Sequence, residues 1–264
     1  VSAAALLVAV LAVQTAPLAP ATKWAIDYAD AKCALSRTFG TAPDQLVLGI
    51  VAVPEQSFVE LIIVQPGVAI EHARRSPMLL RSPASATVQK DNGIVAPLKE
   101  GGRVSRMSLT RPQLDALRVT PWAELTIDGK PWSFALSGLD SALKALAACE
   151  ADLLREWGAD PEALARVKTK ATPAGSPASW VTDSDYPGGA LSRGEEGTAG
   201  FRLFIDATGA VRGCAIISSS GSSELDDSVC TNIRRRARFN PARDADGKTV
   251  ASVWMSRFTW RIPH

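Results

Sequence analysis

Four cysteines, Cys33, Cys149, Cys214 and Cys230, are the residues whose spacing most limits the chemistry open to this 264-residue chain. Metal ligation, redox cycling and disulfide formation each need a different arrangement. No C-x-x-C pair occurs and the only histidines are His72 and His264, which is poor material for a zinc site or a thioredoxin-like redox centre. No metal and no cofactor is expected. An even cysteine count suits structural disulfides in an oxidising compartment, and four cysteines allow three connectivities. The spacing suggests one pair in each half, Cys33–Cys149 and Cys214–Cys230. A second candidate is the serine-rich run "SSSGSSELDD" at 218–227. A nucleophilic serine needs a base, and no histidine lies near it in sequence. The run reads instead as a turn and a helix cap, with Ser222 or Ser223 preceding a helix that begins near Glu224. No catalytic residue is expected, and the chain is read as a non-enzyme. The seven tryptophans are scattered through strands and termini, as core residues would be, not gathered as a carbohydrate platform.

Several kinds of element must position these residues. The first 21 residues contain an unbroken apolar run, Ala5–Val13, followed by the small residues Ala19, Pro20 and Ala21. This reads as a secretory signal peptide with an A-x-A-like cleavage site, or as a short tether if uncleaved. The run is shorter than the roughly 20 apolar residues of a spanning helix. Export to the periplasm follows. With net charge +2, the chain is not basic enough to suggest nucleic acid.

The remainder divides into two expected α+β domains, 22–157 and 180–264, separated by a Pro-, Gly- and Ser-containing linker at 158–179. In the first domain "LVLGIVAVP" and "SFVELIIVQP" form one hairpin across Pro54-Glu55-Gln56. A second turns at Asp128-Gly129, with Leu125 and Ile127 on one strand and Trp132, Phe134 and Leu136 on the other. An amphipathic helix then carries Leu139, Leu143, Leu146 and, near its stripe, Cys149; Gly158 suits the position after its end.

In the second domain Phe201, Leu203 and Ile205 alternate along a strand, Asp206–Gly209 turns, and a return strand carries Cys214 and Ile216. A helix stripe follows: Leu225, Val229, Ile233 and Ala237. "RRRAR", Arg234–Arg238, lies in its last turn, where positive charge suits the helix dipole. A final strand, about Val250–Ile262, places Trp254, Phe258, Trp260 and Ile262 on one face. The order is β-β-α-β: a small antiparallel sheet with one helix packed on it.

These residues carry a resemblance. "YP", "GEEG", a strand ending "ID-x-x-G-x-V", "I-x-x-SSG", "LD", "RRARFNPA" and a terminal strand together resemble the C-terminal domain of TonB over about residues 180–264. The resemblance implies a binding function: an extended segment of an outer-membrane receptor, the TonB box, is added as a strand to the sheet, supporting TonB-dependent transport. It implies docking along the last strand, with Val250, Val253, Met255 and Arg257 beside the added strand and Tyr186-Pro187 bordering it. The plainer reading of these two residues is structural: Pro187 fixes an extended entry and Tyr186 packs on the sheet. ExbB/ExbD-like inner-membrane proteins are the implied energising partners, the helix arginines could meet acidic receptor surfaces, and an exposed edge also allows a strand-paired homodimer. The chain departs from a full energy transducer in lacking the long Pro-rich stretch with alternating charges. The alternative is an exported envelope interaction protein that uses the fold without energy transduction.

Overall fold

A computed structural model describes residues 16–29, 31–41, 45–83 and 85–262, with the side chains of 85–90 left out. The apolar run Ala5–Val13 and His264 lie outside the described residues. The fold is mixed α+β and mostly strands. The chain divides into two compact units; the second contains Tyr28–Cys33, Ala52–Gln56 and everything from Ala145 on.

The N-terminal strands are β1 (Ala25–Ala29), β2 (Lys32–Phe39), β3 (Leu46–Ala52), β4 (Phe58–Gln65), β5 (Arg74–Ser82), β6 (Ser85–Pro97), β7 (Arg103–Thr110), β8 (Trp122–Ile127) and β9 (Lys130–Ala135). They form one sheet in the order β1-β2-β3-β4-β7-β6-β5-β8-β9. Alternation drives it: Leu46, Leu48, Ile50 and Ala52 of β3 are buried, as are Val59, Leu61 and Ile63 of β4. Both expected hairpins are present as β3–β4 and β8–β9. At the second, Asp128 and Gly129 both have positive φ, 53° and 76°, the pair of angles a two-residue turn of this hand requires. Helix α1 (Arg111–Ala116) follows β7, opened by a reciprocal cap between Thr110 and Gln113. The expected cleavage segment is part of this sheet. Leu18 bridges Phe134 of β9 and Pro20 bridges Phe39 of β2, so residues 18–21 join the two and the sheet curls.

Helix α2 (Leu139–Glu156) buries Leu139, Leu143, Leu146, Cys149, Leu153 and Leu154. Gly158, at φ 78°, ends it in the left-handed region. Cys149 of α2 is bonded to Cys33 of β2.

The expected linker is not a free connection. Helix α3 (Pro161–Ala165) is capped by the Asp160 side chain. Strand β10 (Val167–Thr169) pairs with β15 (Ala242–Asp244), and β11 (Thr172–Pro173) pairs with β14 (Phe239–Asn240). Small and polar residues can do this because ladder hydrogen bonds use the backbone, whatever the side chain.

The C-terminal elements are a short helix α4 (Gly188–Ser192), strands β12 (Gly197–Ile205) and β13 (Val211–Ser218), helix α5 (Ser223–Arg236), strands β14, β15 and β16 (Thr249–Val250), and β17 (Ser252–Trp260). Strands β13, β12 and β17 form a three-stranded antiparallel sheet in that order. Its core joins Ala199, Phe201, Leu203 and Ile205 of β12 to Leu225, Val229, Ile233 and Ala237, the stripe read from α5, with Trp180 and Phe239 added by the flanking segments. Cys214 of β13 is bonded to Cys230 of α5. Ser222 stands at the N-cap of α5, but its hydroxyl donates to Glu195 at 2.5 Å, and helix geometry begins at Ser223, not Glu224.

Candidate strand-docking site

Strand β17 is held on one side only. It pairs with β12 from Gly197↔Trp260 through Ile205↔Ser252 without a break in register. Among the described residues its other side has no partner strand. The opposite edge, β13, differs: its pairing with β12 shifts register between Gly200 and Phe201 and again between Phe204 and Ile205. Bulges re-aim an edge and protect it from pairing, whereas a regular edge leaves a row of backbone donors and acceptors open. The geometry therefore separates two nominally equivalent edges and marks β17 as the open one.

Alternation sorts the side chains of β17. Trp254, Phe258 and Trp260 pack against the core. The Trp260 indole N–H donates to the Leu225 carbonyl at 3.2 Å, and Trp254 meets Trp180 and Phe239 with ring centroids 5.5 and 5.3 Å apart. Val253, Met255 and Arg257 take the other face. Arg257 is exposed and Met255 half-buried, but Val253 is only 9% exposed. Val250 is not in β17: it pairs with Ala242 in β16, and the chain breaks ladder geometry at Ala251. The final strand begins two residues later than the sequence suggested and ends at Trp260, so Ile262 lies beyond it.

Tyr186 and Pro187 serve the fold. Tyr186 packs edge-on against Trp260, centroids 5.0 Å apart, and its hydroxyl donates to the Glu195 carbonyl. Burial, with the carboxylates of Glu196 and Glu195, pushes its phenol above the ordinary range, so it stays neutral. Pro187 occupies the N-cap of α4.

The arginine run is largely committed as well. Arg236 donates to both carboxylate oxygens of Asp185 and to the Trp180 carbonyl, and Arg235 donates to Asn232. Hydrogen bonding from Arg236 holds the Asp185 carboxyl well below the usual carboxylate range. Arg234 is exposed on the helix. The serines are similarly occupied: Ser219 Oγ donates to Asp226 Oδ2 at 2.6 Å and the Ser220 N–H to Oδ1 at 2.9 Å.

Sequence reasoning missed the far face of the sheet. Arg202, beside Met255 in the ladder, is 6% exposed, and its guanidinium lies 3.3 Å from the ring centroid of Trp157. Its Nε and Nη1 have no hydrogen-bond partner. Burial pushes the guanidinium down to about 10, partly offset by Glu156, so it remains a cation held by a π face. The available signal was the alternation itself, which sends Arg202 away from Phe201 and Leu203; nothing local told that a tryptophan 45 residues upstream would cover it.

Among the described residues no cluster of His, Cys, Asp and Glu could hold a metal, and no helix is long and apolar enough to cross a membrane. No curated protein is matched by the chain. Among solved structures, the chain is similar to the crystal structure of invasion associated protein b from Bartonella henselae, at 17% identity and a TM-score of 0.35, over 47% of this chain and 92% of that one. The segment that builds the open edge, residues 182–262, matches the family model of the Gram-negative bacterial TonB protein C-terminal, the family its sequence pattern resembles.

Proposed function

We propose that this is a periplasmic TonB-like binding protein whose C-terminal domain takes up an extended segment of an outer-membrane receptor alongside β17 and so supports TonB-dependent transport. The observation that carries the reading is the unbulged free edge of β17, within a segment that matches the TonB C-terminal family. Added backbone hydrogen bonds supply affinity, and the alternating outward residues Met255 and Arg257 supply contacts for selectivity. On this reading the domain acts by binding, and in the turn before α5 Ser219 and Ser222 hold Asp226 and Glu195. Val250 is a weaker contact candidate than Met255, because its backbone is already paired in β16.

Calorimetric titration of the full chain with peptides copied from the N-terminal segments of candidate receptors tests this. A micromolar complex that survives scrambling only poorly is the expected result; no heat with any peptide contradicts it. The second reading, an envelope interaction protein without energy transfer, is favoured by the globular N-terminal sheet that stands where a transducer has its long Pro-rich stretch. Co-purification of ExbB/ExbD-like proteins with the full chain separates the two.

A further inference from the structure

Residues 18–21 hold two competing roles. In sequence, Ala19-Pro20-Ala21 is an A-x-A-like cleavage site. In the fold, the same residues are the seam that joins β9 to β2. Leu18 gives both backbone groups to β9: its N–H donates to the Ser133 carbonyl at 2.7 Å, and its carbonyl accepts from the Ala135 N–H at 3.2 Å. The next bonds go to β2. The Ala19 carbonyl accepts from the Gly40 N–H at 3.2 Å, and the Ala21 N–H donates to the Thr38 carbonyl at 2.9 Å. Pro20 sits between them, where the bridge to Phe39 is made by its neighbours and needs no N–H from Pro20 itself. That is a position at which a strand tolerates proline. The side chains alternate as well: Leu18 and Pro20 are half-buried and Ala19 is exposed.

A cut after Ala21 removes all four bonds. It strips the Ser133 and Thr38 carbonyls and the Ala135 and Gly40 N–H groups of these partners, and it turns β9 into an open edge. The bridged positions border the core. Phe134 and Phe39 are 2% and 0% exposed, and their rings meet edge-on with centroids 5.2 Å apart. A chain in export meets its peptidase before it folds, so the ladder does not shield the site. What the ladder decides is which product can close its sheet.

We propose that Leu18–Ala21 is the closing strand of the working protein and that processing spares it. The amino terminus of the exported chain then lies before Leu18, whether the apolar run Ala5–Val13 is cut away or kept as a tether. The inference concerns the N-terminal sheet alone and does not depend on strand addition at β17.

Two measurements test this. The first is the intact mass of the protein, recovered through a C-terminal tag from the envelope fraction of a Gram-negative host. A mass that includes Leu18 is expected; a terminus at Thr22 overturns the proposal. The second is amide exchange on the full chain and two point variants. Leu18→Pro removes the N–H bonded to Ser133 and should speed exchange of the Ala135 amide about three- to ten-fold, the value of one net hydrogen bond. Ala19→Pro should leave that amide unchanged, since the Ala19 N–H makes no backbone bond. A chain starting at Thr22 should melt about 10 °C lower, four net hydrogen bonds being lost, or fail to fold. Unchanged Ala135 exchange in Leu18→Pro, or a chain starting at Thr22 that melts with the parent, overturns the closing role.

Discussion

Asp128 shows how much one side chain can organise. It occupies the first positive-φ position of the β8–β9 turn, its carboxylate bonds Arg74 and Ser76, and Arg103 lies 3.5 Å away. Hydrogen bonding from Arg74, against the opposing push of partial burial and with help from Ser76 and the charges of Arg74 and Arg103, draws its carboxyl from 3.8 to about 2. A carboxyl depressed in the folded state stabilises the fold above its unfolded value, and the contribution fades as pH falls from about 4 to about 2. Asp128→Asn keeps a residue that tolerates the turn. Chemical denaturation at neutral pH should show a loss of about 1 kcal/mol, discounted for the partial exposure of the pair. The gap between variant and parent should close by about pH 2; a gap that persists there would place the effect in the turn, not the charge. The Asp128-Gly129 turn was readable from the dipeptide. The Arg74–Asp128 pair was not, since it joins residues 54 apart that only the β5–β8 ladder brings together.

At the scale of elements, β17 makes the sharpest claim. Successive N–H groups of an edge strand point alternately into the ladder and out to the open side. Of the single variants Met255→Pro and Ser256→Pro, one therefore removes an inward hydrogen bond and should lower stability by about 3 kcal/mol or more, while the other should fold normally and lose receptor-peptide binding. Two folded variants that both bind would contradict an edge role for this strand. The two disulfides differ in the loops they close, 116 residues for Cys33–Cys149 and 16 for Cys214–Cys230. On the chain-entropy account, replacing the first pair with serine should cost about 5 kcal/mol and the second about 3 kcal/mol in denaturant unfolding. Equal losses would show that loop entropy does not govern them. The α5 stripe and the three long C-terminal strands, β12, β13 and β17, were legible because their 3.6- and two-residue periods are strong. Strands β10, β11, β14, β15 and β16 were not, for each has only two or three residues and pairs through backbone alone.

Across the whole molecule the division expected at 158–179 moves. The second compact unit takes in everything from Ala145, including the last part of α2, and Trp157 covers Arg202 within it. Composition marked a linker because Pro, Gly and Ser are frequent there; the ladders β10–β15 and β11–β14 override that preference. The expected cleavage segment is likewise drawn into a sheet through Leu18 and Pro20, which short-range patterning cannot reveal. The candidate site was legible in outline, since the last strand was recognised as an edge. Its limits were not: Val250 belongs to another ladder, Val253 is buried, and Tyr186 is spent on Trp260. The central claim is that β17 receives a foreign strand. Hydrogen–deuterium exchange of the full chain, with and without a saturating receptor peptide, measures this directly. Added protection concentrated in the alternate amides of Ser252–Trp260, with β13 unchanged, is the expected result; protection confined to β13, or none in β17 at saturation, would contradict it.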